Sequence, residues 1–159
     1  MDDIKEIQNL EVANEGKQYI VVRLGKEQYG IDIKYVDNIV KNQRITRIPS
    51  AQSYFKGVIN LRGEIIPVMS LRLKFGLEPD EYTNATRIII IKLDGQSAIG
   101  IMVDEVREVV TLDEDSIEKT NSTNSSDVGI QYLSGIGKHD GGLITLLNMP
   151  AVIIEKENV

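Results

Sequence analysis

The sequence contains no cysteine and no tryptophan, and only two of its 159 residues are phenylalanine. Without cysteine, neither a disulfide framework nor a thiolate-ligated metal site can form. Basic residues are also few, because 18 Lys and Arg stand against 24 Asp and Glu and give a net charge of −6. Nucleic-acid binding normally requires a basic surface, so this composition predicts no nucleic-acid partner.

Long apolar runs are missing as well. No stretch of the sequence approaches the roughly 20 apolar residues that a membrane-spanning helix requires. The first six residues, MDDIKE, are acidic and polar and do not contain the apolar segment of a secretion signal. We therefore expect a cytoplasmic protein, with residues 1–16 as a flexible lead-in.

A repeated pattern is the most informative feature that the chain does contain. Residues 30–40, GIDIKYVDNIV, align without a gap with residues 100–110, GIMVDEVREVV. Residues 57–71 align in the same way with residues 135–149, and this pairs Gly57 with Gly135. Such internal similarity predicts two like units in tandem. Their approximate bounds are 17–82 and 83–149, and exchange of strands between the units stays open.

Ile and Val dominate the apolar residues, and 13 glycines punctuate the chain. This composition favours short strands with frequent turns and predicts an all-β fold of small closed barrels. We expect hairpins at 18–33, at 57–69 with the turn over Gly63-Glu64, and at 133–147. Pro67 predicts an edge strand.

Helical signals are short and local. Ser70 is a good N-cap and Gly76 a good terminator, so a short helix is expected between them. Asn148 and Pro150 predict a C-terminal helix over 149–156. The aliphatic spacing in residues 33–40 is compatible with a helical turn or with a bulged strand, and periodicity does not decide between them.

No motif supports catalysis. His139 is the only histidine, and it stands beside a turn residue, Asp140, without a nucleophile signal. The acidic run 113–115 does not have the spaced oxygen ligands of a calcium site. Residues 135–138 fail the spacing of phosphate-binding loops. A binding module that uses no cofactor and no metal is therefore favoured over the alternative, a small hydrolase or nucleotide-binding enzyme.

The two copies differ most clearly at one hairpin. Residues 60–62 read Asn-Leu-Arg, whereas residues 138–140 read Lys-His-Asp. Arg62 can be interpreted as a solvated charge, alone or paired with Glu64, or as an interface anchor. Arginine is enriched among interface hot spots because its planar fork makes several directed hydrogen bonds.

The block at 57–68, GVINLRGEIIPV, is preceded by GIDI at 30–33 and followed by GIMVD at 100–104. In these features the chain resembles the CheW family of bacterial chemotaxis coupling proteins, over a span from about Gln18 to Ile154. The block is also similar to the regulatory domain of the chemotaxis histidine kinase CheA. No kinase core, phosphotransfer helix or receiver domain accompanies it, so the free-standing CheW-like domain, over 17–156, is the better match.

The resemblance implies two five-stranded SH3-like barrels that share a core, with short helices. It also implies a non-enzymatic adaptor that couples the cytoplasmic tips of chemoreceptors, the methyl-accepting chemotaxis proteins, to CheA in two-component signalling. Its partners would be the CheA regulatory domain and a receptor tip, and receptors alone would bring it to the membrane. A CheW-like scaffold for a kinase pathway outside motility is the closest alternative.

The receptor-binding site is also implied by the resemblance and not by spacing. It would lie in a groove between the barrels and include the following residues: Ile33, Val36, Asn38, Ile39, Gly57, Arg62 and Val109. Two positions depart from the family pattern. Asn38 replaces a glutamate found in some members, and Arg87 stands where an aliphatic residue can stand. A helical receptor hairpin would suit an apolar groove with a cation at its rim.

Overall fold

The computed structural model describes residues 16–49, 52–120 and 130–154. Within these ranges the chain forms eleven β-strands and two short α-helices. The predicted lead-in, apart from Gly16, lies outside the described residues, as do Glu155 and Lys156 at the end of the predicted C-terminal helix.

The strands are β1 Lys17–Leu24, β2 Glu27–Asp32, β3 Val36–Lys41, β4 Phe55–Leu61, β5 Glu64–Ser70, β6 Arg87–Ile91, β7 Ile99–Val103, β8 Glu105–Leu112, β9 Ile117–Lys119, β10 Leu133–His139 and β11 Gly142–Leu147. The helices are α1 Leu71–Lys74 and α2 Met149–Ile153. Single 3₁₀ turns cover Ile33–Tyr35, Glu114–Ser116 and Ile130–Tyr132. The all-β fold class is confirmed.

The strands form two sheets that do not follow the two halves of the sequence. Sheet 1 has the order β8-β1-β2-β11-β10-β9, and sheet 2 has the order β3-β6-β7-β5-β4. The predicted units 17–82 and 83–149 therefore do not coincide with the sheets. Strands from each half complete the sheet of the other half.

The exchange is reciprocal. In sheet 2, β5 pairs in parallel with β7, and Val68 lies opposite Gly100. In sheet 1, β11 pairs in parallel with β2, and Leu146 lies opposite Gly30. In the sequence repeat, Val68 aligns with Leu146 and Gly100 aligns with Gly30. A Cβ atom on Gly30 would come within 2.8 Å of Leu146 Cδ2, so close strand packing requires glycine there.

Each sheet closes on itself because its two outer strands are consecutive in the chain. In sheet 2, Thr46 extends the path of β3 towards β4, and it exchanges two hydrogen bonds of 2.8 Å with the backbone of Val58. In sheet 1, a 3₁₀ turn connects β8 to β9, and Glu118 of β9 lies opposite Ile136. We call the closed sheets barrel 1 and barrel 2. Barrel 1 has six strands and not the five expected, because β9 is regular where barrel 2 has a single bridge.

Three apolar clusters fill this arrangement. One lies inside barrel 1 and includes Val21 and Val110. A second lies inside barrel 2 and includes Ile88 and Ile90. The third, which we call the shared core, draws strands from both sheets together with both α-helices. Its fully buried members include Ile20, Val22, Ile31, Ile89, Ile91, Ile101 and Met149. The shared core predicted from the resemblance is thus present.

The helix signals were read correctly from the sequence. The Leu73 N–H donates to Ser70 Oγ at 3.1 Å, and the Ala151 N–H donates to Asn148 Oδ1 at 3.2 Å. Gly76 follows the end of α1 with a φ of 74°. The C-terminal helix is shorter than expected, because it ends at Ile153 and the next residue is extended.

The turn predicted over Gly63-Glu64 was wrong by one residue. Arg62 and Gly63 both have positive φ, 54° and 82°, so they are the two turn residues. Asp140 and Gly141 repeat this geometry with φ of 49° and 76°. Two successive positive φ values are typical of the type I′ turn, whose twist matches that of the flanking strands.

Two further expectations are settled by strand pairing. Residues 33–40 form a 3₁₀ turn and then strand β3, which carries a register shift between Val36 and Asn38. Pro67 does not mark an edge strand, because β5 lies between β4 and β7. Proline is tolerated there because the parallel pairing with β7 begins one residue later, at Val68.

Candidate partner-binding groove

The residues proposed from β3 face the shared core. Val36 lies opposite Ile91 and Ile39 lies opposite Ile89, and both isoleucines belong to the shared core. Residues directly opposite one another in a sheet place their side chains on the same face. The register shift in β3 therefore puts Val36 and Ile39 on one side, although they are three positions apart and regular alternation would place them on opposite faces.

Strand β8 repeats this arrangement in barrel 1. Val106 lies opposite Val22, and Val109 lies opposite Ile20, so both face the shared core. Val106 is a residue that sequence reasoning missed. The signal was available, because the repeat pairs Val106 with Val36 and Val109 with Ile39.

These side chains form an apolar strip at the margin of the shared core. We call it the groove strip, and its members are Ile33, Val36, Ile39, Val106 and Val109. Ile33, Val36 and Val106 are half-buried and pack against the shared core. Ile39 and Val109 are 36% and 52% exposed. Exposed aliphatic side chains that continue a buried core provide a surface for an apolar partner.

Asn38 does not belong to the groove strip. It lies opposite Ile90, which points into barrel 2. Its side-chain oxygen accepts a hydrogen bond of 2.8 Å from the backbone N–H of Ile39. The asparagine therefore supports the bulged backbone locally, and it faces away from the side that Val36 and Ile39 share.

Gly57 is also not in the groove strip. It is buried in β4, where its backbone passes directly beneath Thr46. Its φ is 140°, and a Cβ atom built on it would lie 2.1 Å from the carbonyl oxygen of Thr46. The absence of a side chain thus permits the closure of barrel 2.

Arg62 stands at the tip of the β4–β5 hairpin and is exposed. Within the described parts of the chain, no salt bridge or side-chain hydrogen bond involves Arg62, so the pair with Glu64 that one interpretation allowed is not formed. The turn is held instead by Asn60, whose Oδ1 accepts from the Gly63 N–H at 3.0 Å. No recorded contact joins Arg62 to the groove strip. The other departure, Arg87, donates to the carbonyl oxygens of Asn84 and Thr86 at 2.7 and 2.8 Å, which is a local structural role.

The chain crosses twice between the barrels, at Ile33–Tyr35 and at Asp104, and each crossing directly precedes a strand of the groove strip. A cavity of about 290 Å³ opens at the first crossing. Its charged lining residues are Lys34, Asp37, Lys92 and Asp94. The charges at this end of the strip therefore balance.

The second crossing is closed by ion pairs. Asp104 accepts two hydrogen bonds from Arg72, at 2.7 and 2.6 Å, and one from the Gly25 N–H at 2.8 Å. Burial alone would raise the pKa of Asp104, but these hydrogen bonds and the nearby charges of Arg72 and Arg23 outweigh it and lower the pKa below its ordinary value of 3.8. Because the folded pKa is lowered, the ion pair stabilises the fold above the unfolded pKa and loses its effect as pH falls through the folded pKa.

No group of three or more His, Cys, Asp or Glu side chains among the described residues could hold a metal ion. His139 Nε2 lies 3.4 Å from Asp140 and 3.7 Å from Glu108, in a partly exposed cluster at the second hairpin.

None of the described helices has the length and apolarity needed to cross a membrane.

Comparisons with known proteins agree with the geometry. A family model described as the CheW-like domain matches residues 18–157. The chemotaxis protein CheW of Helicobacter pylori is 35% identical over 86% of this chain and 81% of its own length. The chemotaxis protein CheW of Bacillus subtilis is also 35% identical, over 90% of both chains.

A solved structure shows the same fold. The crystal structure of the scaffolding protein TtCheW from Thermoanaerobacter tengcongensis matches with a TM-score of 0.75 and 38% sequence identity. The match covers 84% of this chain and 89% of that protein.

Proposed function

Because the chain belongs to the CheW family, and so is a chemotaxis scaffold, we propose that it joins a chemoreceptor tip to the regulatory domain of a CheA-type kinase. The family couples receptors to kinase control, and this chain would do so by binding and without catalysis. Its place of action would be the cytoplasm, with receptors as its only link to the membrane.

The groove strip is the observation that carries the receptor half of the proposal. Two equivalent strands, one from each barrel, present aliphatic side chains at the margin of one core. An amphipathic helix places its apolar side chains at intervals of three and four residues into such a groove. The helical hairpin of a receptor tip would therefore lie along Ile33, Val36, Ile39, Val106 and Val109, with Arg62 as the polar contact.

The kinase half of the proposal rests on likeness of fold. The CheA regulatory domain resembles this chain, so a pseudo-symmetric contact between barrel ends is a natural geometry. The two hairpins place exposed aliphatic residues at equivalent positions, Ile65 and Leu143, which are 60% and 62% exposed. These residues lie outside the groove strip, so the two proposed surfaces are separate except at the β4–β5 hairpin, where Arg62 would contact the receptor and Ile65 the kinase.

Titration with each partner tests the proposal. The purified chain should bind a receptor cytoplasmic hairpin fragment and a CheA regulatory domain separately, and then both at once in a ternary complex. Isothermal calorimetry gives each affinity, and size-exclusion chromatography with light scattering gives the stoichiometry. Competition between the two partners, or failure of either to bind, would contradict a scaffold with two separate surfaces.

Truncation of the groove strip should weaken receptor binding alone. Ile39→Ala and Val109→Ala each remove apolar surface that a bound helix would cover, worth about 1 kcal/mol, so receptor affinity should fall about fivefold in each variant. Both side chains keep at least a third of their surface exposed in the free protein, so the melting temperature should change little. Ile48→Ala is a matched control, because Ile48 is 48% exposed and lies in the connection after β3, outside the strip. Equal loss of affinity in the control would contradict the assignment.

A further inference from the structure

Asp104 lies at the point where the chain passes from barrel 2 to barrel 1. It is the single residue between β7, which belongs to barrel 2, and β8, which belongs to barrel 1. One carboxylate there contacts both barrels. Arg72 reaches it from α1, which directly follows β5 of barrel 2, and the Gly25 N–H reaches it from the β1–β2 turn of barrel 1.

The geometry is that of a rigid contact. Arg72 donates from Nε to Asp104 Oδ1 and from Nη2 to Oδ2, so both oxygens are held by one planar guanidinium. The two side chains are only 12% and 18% exposed, so solvent screens the pair weakly. Bidentate pairs of this kind fix orientation as well as distance. We call Arg72, Asp104 and Gly25 the inter-barrel clamp.

The sequence repeat shows that a crossing of this kind can form without such a clamp. At the first crossing, the residue equivalent to Asp104 is Lys34, and the residue equivalent to Arg72 is Pro150. Neither can reproduce the contact, since a lysine cannot accept hydrogen bonds and a proline side chain cannot donate them. Lys34 instead approaches Asp32 Oδ2 at 3.8 Å, and the cavity described above opens beside it. Only one of the two equivalent crossings is held by a bidentate ion pair.

The clamp adjoins the groove strip. Glu105, the first residue of β8, follows Asp104 directly, and Val106 comes next. A change in the angle between the barrels at this crossing would displace Val106 and Val109 relative to Val36 and Ile39. The clamp therefore lies at a point where a change of this angle would move one apolar strand relative to the other, although none of its members lies in the strip.

We propose that Arg72 and Asp104 are positioning residues that fix the angle between the barrels and so hold the groove strip in its receptor-binding geometry. The proposal rests on the proposed function for its binding role. Its conformational part, the fixed angle, can be measured without any partner.

The absence of cysteine makes the angle directly measurable. Glu64→Cys and Lys138→Cys place one spin label on the hairpin of each barrel, at exposed positions outside the clamp. Double electron–electron resonance on the full chain should give one narrow distance distribution. Adding Asp104→Asn, which nearly preserves shape but removes the charge, should broaden it clearly, and Arg72→Gln should do the same.

Receptor affinity is then measured with unlabelled variants. Asp104→Asn should weaken binding of the receptor hairpin fragment about threefold, while affinity for the kinase domain stays unchanged. Glu105→Gln is the matched control. It breaks an ion pair with Arg23 at 2.9 Å in the same charge cluster. Arg23 also lies 3.9 Å from Asp104, but Arg23 and Glu105 both belong to barrel 1 and the bidentate contact with Arg72 is kept, so neither readout should change.

The possible outcomes distinguish failure of the clamp from failure of the scaffold function. An unchanged distance distribution in the Asp104→Asn and Arg72→Gln variants would overturn the clamp. A broadened distribution with unaltered receptor affinity would overturn its positioning role and leave the scaffold function standing. Wild-type protein that bound no receptor would overturn the scaffold function, while the distance measurement would still test the fixed angle. If Asp104→Asn fails to fold, Arg72→Lys, which keeps the charge but removes the planar fork, should give an intermediate width.

Discussion

Arg62→Ala is expected to weaken binding of the receptor hairpin fragment about tenfold or more, with binding to the kinase domain unchanged. An interface arginine that makes directed hydrogen bonds typically costs on the order of 1–4 kcal/mol when truncated, and 1.4 kcal/mol corresponds to tenfold in affinity. Arg62 is exposed and makes no ion pair among the described residues. Its side chain is therefore free to serve a partner.

The turn geometry predicts that the fold will tolerate this change. Arg62 adopts a φ of 54°, which is strained for any residue with a Cβ atom, and alanine carries the same strain. The melting temperature should thus stay nearly constant, because exposed substitutions usually change stability by about 0.5 kcal/mol or less. Differential scanning calorimetry checks this alongside the titration.

Arg62→Asn is a stricter test, because it should lower receptor affinity without lowering stability. Asparagine favours the first position of a type I′ turn, so this variant should be as stable as the wild type or more stable. It should nevertheless lose receptor affinity as fully as the alanine variant. Arg62→Lys should keep part of the affinity, since it retains the charge but not the fork. If all three variants bound the receptor as well as wild type, Arg62 would be only a solvated turn residue.

Gly57→Ala is expected to lower the free energy of unfolding by about 3 kcal/mol or more, or to prevent folding. The new Cβ atom would meet a backbone carbonyl, Thr46 O, at 2.1 Å, and no side-chain rotation can relieve that contact. The φ of 140° adds strain of about 1–3 kcal/mol for a residue with a side chain. Chemical denaturation monitored by circular dichroism measures the loss.

Gly63→Ala is the matched control for this variant. Gly63 also has positive φ, 82°, but a Cβ atom there would have no neighbour within 4 Å. Its cost should therefore be only the backbone strain, about 1 kcal/mol. Gly57→Ala should impair receptor and kinase binding together, in proportion to the unfolded fraction. A stable Gly57→Ala protein that lost receptor binding alone would show instead that Gly57 contacts the receptor, as the family resemblance implied.

Local features of this chain were readable from the sequence because their causes are local. Ser70 and Asn148 cap their helices with their own side chains, and Gly76 ends a helix by its own backbone freedom. The repeat of 57–71 in 135–149 likewise predicted two similar hairpins, because similar sequences have similar turn preferences. The abundance of Ile and Val favoured an all-β fold, because β-branched side chains pack well on a pleated sheet.

The candidate groove could be predicted only in part. Val36, Ile39 and Val109 were named through the family resemblance, and Val106 follows from the repeat once β3 and β8 are known to be equivalent. Asn38 was placed with them although it faces the other side of β3. The register shift beside it could not be read from alternation, since a bulge changes which residues share a face.

The tertiary structure alone decided how the two units combine. The repeat was visible in the sequence, but the exchange of strands between the units was not. It depends on the parallel pairing of β2 with β11, more than 100 residues later in the chain, and of β7 with β5, about 30 residues earlier. Gly57 owes its role to Thr46, and Asp104 to Arg72 and Gly25, through contacts of the folded chain. Caps and turns are set by neighbouring residues, whereas sheet order, barrel closure and the inter-barrel clamp arise where distant segments meet.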